Sequence, residues 1–409
     1  MRILLSAFAC DPELGSESGV GWAWAYHLAK AGHDVRVLTF EGQRSSIENR
    51  LRELDLPNLH FEYVGVRFVP FWMPGPGVYP YYICWQRNAY LRAKTLHGER
   101  RFDLVHHVSY AVFRNASYLY LLGAPFIFGP VGGGERSPRA LRTSMSSKQR
   151  AAEALRDFVN LLPNLDPYWR EMLRNSSRIA VKTTETLSYL PRESRGRAVI
   201  ALENMVSEPP FLAGESDRVP PFKLLYAGRL LSWKGVHLAL RALAKVRGRA
   251  DVHLTIVGEG KEAQSLKELV HRLGLEQIVE LSPWIPKAAV LALHESHDAF
   301  IFPSLHDSGG TVVMEAIAHG TPVICLDLGG PAVTVDKHCA RIVSTRNKTE
   351  EQVVEGLANA IFDLCHLSSA EWEAMRTAAV RRAQLYAPQK VIARVYGPLL
   401  MPGLPHSDC

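Results

Sequence analysis

Strand-like and helix-like patterns alternate along most of this chain. Short apolar runs such as RILLSAFA and AFIFPS are followed by helical patterns such as WAWAYHLAKAG. This alternation is typical of doubly wound α/β proteins, in which helices cover both faces of a parallel sheet. We therefore expect an α/β fold whose ligands bind beyond the carboxyl ends of the strands.

The length of 409 residues indicates two domains, because one hydrophobic core rarely serves so long a chain. A polar, proline-containing stretch, SEPPFLAGESDRVPP (residues 207–221), is the predicted linker. We expect a Rossmann-like N-terminal domain over residues 1–206 and a second Rossmann-like domain over 222–385. A C-terminal helix within 386–409 is expected to pack back toward the N-terminal domain.

Composition and charge argue against several classes of protein. The apolar and charged fractions, 47% and 22%, are ordinary for a soluble globular protein. A net charge of +6 suits phosphate-bearing ligands or an anionic membrane face, but is too weak to indicate nucleic acid. The six cysteines have no metal or redox spacing. No leader-like segment precedes the first strand, and prolines interrupt the long uncharged runs. We therefore expect a cytoplasmic protein, soluble or peripheral on the inner face of the membrane.

The segment DSGGTVVME places Asp307 and Glu315 eight positions apart, across a glycine pair that reads as a helix start. Gly309 and Gly310 would let backbone N–H groups approach a ligand, and the helix dipole favours an anion such as a diphosphate. Carboxylates on either side would accept hydrogen bonds from hydroxyls, as a sugar nucleotide requires. The alternative is an ordinary helix N-terminus capped by Ser308 or Asp307, with Glu315 solvated.

The segment YAGRLLSWKG follows another strand and carries two cations. Gly228 ends the strand, and Arg229 and Lys234 lie five residues apart near its carboxyl end. Such a pair can clamp a diphosphate and neutralise it as a leaving group. The alternative is a pair of solvated surface cations.

These segments resemble the family 4 glycosyltransferases. GRLLSWKG, VGEGKEAQSLKELVHRLGL, PS and DSGGTVVMEAIAHGTPVI occur in the order and spacing of that family. The N-terminal SESGVGW, GHDVRVLT, FDLVHH and GPVGGGE extend the resemblance over about residues 1–390. It implies the GT-B fold, two Rossmann-like doubly wound domains facing each other across a cleft, and a retaining mechanism.

The resemblance also assigns roles. Arg229 and Lys234 would hold the donor diphosphate, and Glu315 would bind ribose hydroxyls. Asp307 stands where the family usually has Glu, near the reacting carbon of the hexose; its shorter side chain puts contact geometry in question. The expected donor-binding set is Gly19, Gly21, Gly228, Arg229, Lys234, Ser308, Gly309, Gly310, Thr311 and Glu315.

In the N-terminal half, Gly19 and Gly21 are expected to begin the first helix under the transferred sugar. The alternative is that they serve helix packing. FDLVHHVSY runs into His106 and His107, where relatives have His-x-His; here Val108 takes the second place. We favour His107 as the catalytic histidine, together with Asp307, although each histidine could instead be a core residue. Successive strand residues face opposite sides, so only one of the two should face the cleft.

Two further segments leave alternatives open. GPVGGGERSP suggests Gly133, Gly134 and Glu135 as contacts on the acceptor or sugar side. Residues 68–101 combine aromatics with basic side chains, which suits a membrane interface or a lipid-linked acceptor. The alternative is that these aromatics pack on the core, and segment 141–175 admits the same two interpretations.

The sequence therefore favours a hexosyltransferase that uses a nucleoside-diphosphate sugar and a lipid-linked or polysaccharide acceptor. No zinc-like or paired-aspartate motif is present, and the resemblance implies cations and helix ends in place of a metal, so we predict no metal and no cofactor. The alternatives are a GT-B sugar-nucleotide epimerase and a catalytically silent sugar-nucleotide-binding scaffold. A dinucleotide-dependent oxidoreductase fits less well, because the first turn lacks GxGxxG.

Overall fold

The computed structural model describes residues 1–67, 78–206 and 219–400. Most of the predicted linker, the first part of the aromatic segment 68–101 and the end of the predicted C-terminal helix region therefore lie outside the described residues.

The chain groups into two compact units. The first comprises Met1–Gly134, Val159–Met205 and the chain from Pro388, and the second comprises Glu135–Phe158 and Val206–Ala387. These units differ from the predicted domain boundaries in one main respect. Residues 135–158 come from the N-terminal half of the sequence but belong to the second unit.

The first unit is built on a parallel sheet of seven strands among the described residues. The strands are β1 (Arg2–Ala7), β2 (Asp34–Phe40), β3 (Leu59–Val64), β4 (Leu104–Ser109), β5 (Phe126–Val131), β6 (Arg178–Val181) and β7 (Ala198–Ile200). Their order is β3-β2-β1-β4-β5-β6-β7. The order reverses between β1 and β4, which marks a topological switch point at their carboxyl ends.

Within the described residues, seven α-helices occur along the chain between or after these strands, and all of them except α4 belong to the first unit. They are α1 (Ser16–Lys30), α2 (Arg44–Arg52), α3 (Val78–Glu99), α4 (Ser147–Val159), α5 (Pro167–Asn175), α6 (Thr184–Tyr189) and α7 (Arg192–Arg195). Every residue of β1, β4 and β5 is buried. Helices therefore shield both faces of the sheet, which explains why these strands read as continuous apolar runs.

Three aromatic side chains of α3 belong to the core of the first unit. Tyr81, Tyr82 and Trp85 are buried in a cluster with Phe8, and the Trp85 indole N–H donates to the Val64 carbonyl at 3.0 Å. The interpretation of this helix as an aromatic membrane-contacting surface is therefore not supported, because the rings face inward. Trp169, in the second segment left open above, is likewise fully buried.

The second unit repeats the pattern with six parallel strands among the described residues. They are β8 (Phe222–Ala227), β9 (Val252–Val257), β10 (Val279–Ser282), β11 (Ala299–Phe302), β12 (Val323–Leu326) and β13 (Ala340–Val343), in the order β10-β9-β8-β11-β12-β13. Here the switch point lies between β8 and β11. Both described sheets confirm the predicted doubly wound α/β class.

The remaining helices follow these strands. They are α8 (Val236–Val246), α9 (Ala263–Leu273), α10 (Lys287–Ser296), α11 (Thr311–Ala318), α12 (Gly329–Thr334), α13 (Glu350–Cys365), α14 (Ser369–Ala383) and α15 (Pro388–Tyr396). Capping boxes begin α13 and α14, through Thr349 with Gln352 and Ser368 with Glu371. Each box satisfies two backbone N–H groups at its helix start, so local sequence fixes where these helices begin. Helix α15 confirms the predicted C-terminal helix within 386–409.

Candidate functional site

The loops that follow β8 and β11 lie beside each other in the second unit. The two strands are neighbours in register, with Ala299 opposite Leu224. The backbone N–H of Leu305 donates to the carbonyl of Trp233 at 2.7 Å, which ties one loop to the other. The two sequence segments predicted to hold a diphosphate, 228–235 and 307–315, are therefore brought together at the switch point.

Lys234 and Asp307 form an ion pair across these loops. Their side chains are 13% and 18% exposed, and the Lys234 ammonium lies 5.0 Å from the centroid of the Phe302 ring. Asp307 also accepts a hydrogen bond from the backbone N–H of Gly310 at 3.3 Å. A cation and a carboxylate are thus held opposite each other at the start of α11.

Glycine at position 310 is required by the backbone. Its φ is +59°, and a Cβ there would lie 3.1 Å from the Pro331 ring. This residue is the N-cap of α11, so Ser308, Gly309 and Gly310 form the turn before the helix and Thr311 is its first residue. The turn places the positive end of α11 beside Lys234.

Arg229 lies exposed, directly after Gly228, and forms no ion pair within the described part of the chain. Its carbonyl accepts a hydrogen bond from the Tyr226 hydroxyl at 3.2 Å, which fixes the backbone while leaving the guanidinium at the surface. Burial raises the pKa of the Tyr226 phenol, and the charge of Asp307 raises it further. Tyr226 is therefore a neutral hydrogen-bond donor at this position.

Glu315 lies one turn inside α11, as predicted. Its carboxylate pairs with the ammonium of Lys287, the first residue of α10, at 2.7 Å. The Lys287 side chain is largely exposed, whereas that of Glu315 is mostly enclosed. A hydroxyl-bearing ligand that approaches Glu315 would meet this lysine first.

Three residues near these side chains escaped sequence analysis. The His306 imidazole stacks on the Trp233 indole, with centroids 5.3 Å apart and planes at 14°. Its Nε2 lies 2.9 Å from Oε1 of Glu153, a buried residue of α4. His306 and Trp233 adjoin Asp307 and Lys234 in sequence, and that adjacency was the available signal. No feature of the sequence pointed to Glu153.

The two candidate histidines, His106 and His107, are both buried within the first unit. His106 places Nε2 at 2.5 Å from the Gly129 carbonyl and Nδ1 at 3.0 Å from the Tyr396 hydroxyl of α15. Burial lowers the pKa of His106 to about 4 and that of His107 to about 3. His107 lies 3.4 Å from the Tyr82 hydroxyl, in the aromatic core of this unit. The catalytic role favoured for His107 stays a prediction.

The expectation that Gly19 and Gly21 begin the first helix is wrong, because α1 already starts at Ser16. A Cβ at Gly21 would lie 2.1 Å from the Ala9 carbonyl oxygen, and one at Gly19 would lie 2.6 Å from that of Leu14. The glycines therefore allow α1 to pack closely against the loop after β1. Glu17 connects α1 to the loop after β4 by accepting a hydrogen bond from the Ala111 N–H at 2.6 Å.

The triple-glycine loop after β5 is held by its own surroundings. The Gly133 carbonyl accepts hydrogen bonds from Arg114 at 3.1 Å and Asn160 at 3.2 Å, and the Gly134 N–H donates to the Thr186 hydroxyl at 3.2 Å. In the second unit, Glu135 is buried with its carboxylate 3.9 Å from the Arg156 guanidinium. The structure thus gives these residues partners within the protein.

Over residues 1–67, 78–206 and 219–400, His, Cys, Asp and Glu side chains form no group suited to hold a metal ion. In the same part of the chain, no helix combines the length and apolar character needed to cross a bilayer.

Two doubly wound parallel sheets with flanking helices are the architecture of the GT-B class of fold. Sucrose-phosphate synthase of Thermosynechococcus elongatus has the same fold: its structure covers 98% of this chain and 100% of its own, with a TM-score of 0.66 at 18% identity.

Residues 22–201 match the model of the glycosyl transferase 4-like domain, and residues 214–368 match that of the glycosyl transferases group 1. The chain therefore belongs to the family 4 glycosyltransferases, as the sequence motifs implied.

Curated relatives match over shorter stretches. An uncharacterised glycosyltransferase of Methanocaldococcus jannaschii is 29% identical over 140 residues, which are 34% of this chain and 36% of the relative. A glycogen synthase of Mycobacterium tuberculosis is 35% identical over 119 residues, or 29% of each protein. The chain thus spans about a third of the length of the curated relatives it matches.

Proposed function

We propose that the chain transfers a hexosyl unit from a nucleoside-diphosphate sugar to a hydroxyl acceptor, with retention at the anomeric carbon. The observation that carries this proposal is the placement of Lys234 opposite Asp307 at the N-terminus of α11. One cation, a row of backbone amides and one carboxylate meet there, and these groups match a diphosphate joined to a hydroxyl-bearing sugar.

Binding the diphosphate would redistribute the charges already present. The amides before α11 and the exposed Arg229 would receive phosphate oxygens, and Lys234 would share its charge between the phosphate and Asp307. Asp307 could then accept hydrogen bonds from hexose hydroxyls. Glu315 would exchange part of its contact with Lys287 for ribose hydroxyls.

The same groups would stabilise the transition state of glycosyl transfer. As the bond between C1 and the phosphate oxygen breaks, negative charge grows on the departing diphosphate, where Arg229, Lys234 and the α11 amides can stabilise it. The acceptor oxygen bonds to C1 on the same face, and its proton passes to a phosphate oxygen. The products are a retained glycoside and a nucleoside diphosphate. Because cationic side chains supply the positive charge, we propose that no metal ion is required, and an excess of EDTA should leave the rate unchanged.

We propose that the acceptor is a carbohydrate or a lipid-linked sugar. The support is the family membership and the relative that is named a glycogen synthase. His106, Gly133, Gly134 and Glu135 remain candidates for the acceptor or sugar side, and His107 remains the candidate catalytic histidine.

The proposal is tested by thermal-shift titration with UDP-, GDP- and ADP-linked hexoses. At least one donor should raise the melting temperature, and Arg229→Ala and Lys234→Ala should each weaken that stabilisation. Lys223→Ala is the matched control, because this exposed lysine lies on β8 itself, near the amino end of the strand. If both site variants bind the donor as tightly as wild type, the site assignment is wrong.

A second assay separates the reaction classes. Release of nucleoside diphosphate that increases with added acceptor supports transfer. Isomerisation of the donor sugar without acceptor would instead indicate an epimerase. Donor binding without any release, even after long incubation, would indicate a scaffold.

A further inference from the structure

The two loops of the proposed donor site meet through one aromatic stack. Trp233 precedes Lys234 and His306 precedes Asp307, so the stacked rings adjoin both members of the ion pair. The Trp233 carbonyl also accepts hydrogen bonds from Leu305 N–H at 2.7 Å and from the Ser304 hydroxyl at 3.3 Å. The orientation of the His306 ring therefore bears directly on the separation of the two loops.

Glu153 holds that ring by a contact with its Nε2 atom. Its carboxylate lies 2.9 Å from His306 Nε2, and both side chains are at least nine-tenths enclosed. Burial raises the pKa of Glu153, but the hydrogen bonds with His306 and Ser137 and the charges of His306 and Arg156 together outweigh this, so the net pKa lies below its usual value. Burial also lowers the pKa of His306. A charge-assisted hydrogen bond in such an enclosed place holds its partner more firmly than an exposed one.

The helix that carries Glu153 has its own anchors in the second unit. Gln149 donates to the Glu262 carboxylate at 2.8 Å, and Asp157 pairs with Arg142 at 2.7 Å. The Ser144 N–H, just before α4, donates to Glu350 at 3.2 Å. The position of Glu153 is therefore determined independently of His306.

We propose that Glu153 is a positioning residue for the donor site. By holding the His306 ring against Trp233, it sets the spacing between Lys234 and Asp307 and hence the fit of the diphosphate. The inference rests on the proposed function, because it assumes that these loops bind a nucleoside diphosphate.

The test measures affinity by calorimetry for whichever of UDP, GDP and ADP binds the wild-type protein most tightly. Glu153→Ala should weaken binding roughly tenfold, the effect expected when one hydrogen bond to a charged group is lost. Glu153→Gln keeps an acceptor oxygen at the same reach and should stay within about twofold of wild type. Arg150→Ala is the control, since it truncates an exposed side chain of the same helix without touching His306 or the anchors of that helix.

A double-variant cycle shows whether Glu153 acts through His306. His306→Phe keeps an aromatic ring on Trp233 but removes the bond to Glu153, so it should weaken binding to a similar degree. Adding Glu153→Ala to His306→Phe should then cause no further loss. Fully additive losses would contradict the proposed route.

Each remaining outcome is also decisive. If the nucleotide binds wild type, Arg229→Ala weakens it and Glu153→Ala does not, the inference fails while the proposed function stands. If none of the three nucleotides binds wild type, both fail. If Glu153→Ala does not fold, Glu153→Asp is measured in its place. The Asp carboxylate is one methylene too short to reach His306, so this variant should bind the nucleotide more weakly than Glu153→Gln does. Equal affinities for these two variants overturn the inference.

Discussion

The Lys234–Asp307 pair has a measurable consequence for stability. Exposed ion pairs contribute about 0–1 kcal/mol, whereas removing one partner of a fully buried pair costs about 3–5 kcal/mol. With 13% and 18% of their side chains exposed, Lys234 and Asp307 lie nearer the buried case. We expect Lys234→Met to lower the free energy of unfolding by about 2 kcal/mol, because it leaves Asp307 without its cation.

Urea unfolding at neutral pH, followed by far-ultraviolet circular dichroism, gives this quantity directly. The control is Lys245→Met, because Lys245 is also paired but its partners Glu351 and Glu355 are 59% and 49% exposed. The control should lose clearly less stability than Lys234→Met, because solvent screens an exposed pair. In the double variant Lys234→Met with Asp307→Asn, at least about 1 kcal/mol should return, since no unpaired carboxylate remains.

Equal losses for Lys234→Met and Lys245→Met would refute this reasoning. They would mean that solvent screens the Lys234–Asp307 pair as it does a surface pair. The ligand would then have to bring the two charges into position, and the binding site would not be preorganised.

Three further predictions concern the first unit. Gly21→Ala should lower the melting temperature by several degrees, because overpacking costs about 1–3 kcal/mol. The control is Gly98→Ala in α3, where a Cβ meets open space, and it should be neutral or slightly stabilising. A melting temperature unchanged by Gly21→Ala would contradict the close packing of α1. Trp85→Ala should lower the free energy of unfolding in urea by about 3–5 kcal/mol. The control is Ile83→Ala on the same helix, which should cost no more than about 0.5 kcal/mol because the Ile83 side chain is 56% exposed. Similar losses for the two variants would show that this helix does not bury its aromatic face. Burial lowers the pKa of His106 to about 4, so the unfolded chain takes up a proton first and stability falls as the pH drops from 6.5 toward 4. His106→Gln should make the loss between pH 6 and pH 5 smaller by about 1 kcal/mol, and unchanged pH profiles would exclude this histidine as the cause.

Local signals allowed much of the second unit to be predicted from the sequence. Gly235 and Gly310 mark helix starts after apolar strands, and parallel strands bring their carboxyl ends to one edge. The meeting of Lys234 with Asp307 follows from these two facts and the strand order. What the sequence did not reveal is that the two charges pair with each other.

Packing overrode local propensity elsewhere. Glycine weakens helices, which favours Gly19 and Gly21 at the start of the first helix, yet α1 begins at Ser16 and includes both. The loop after β1 approaches α1 so closely that a Cβ at either position would clash with its backbone. The aromatics of α3 fit a core and a surface equally well as a pattern. Only the three-dimensional burial of Tyr82 and Trp85 distinguishes the two.

The contact between Glu153 and His306 had no sequence signal, because the two residues are 153 positions apart and come from opposite halves of the chain. Helical periodicity predicts which face of α4 is apolar, but it does not specify the unit against which that face packs.

The interleaved path of the polypeptide restricts how such proteins can be recombined. Residues 135–158 complete the second unit, and the chain from Pro388 returns to the first. A chimaera spliced once within the predicted linker would combine α4 of one parent with the donor-site loops of the other. Glu153 would then come from one parent and its partner His306 from the other. A functional graft of the second unit therefore needs residues 135–158 transplanted with it, and the recipient must keep its own terminal helix.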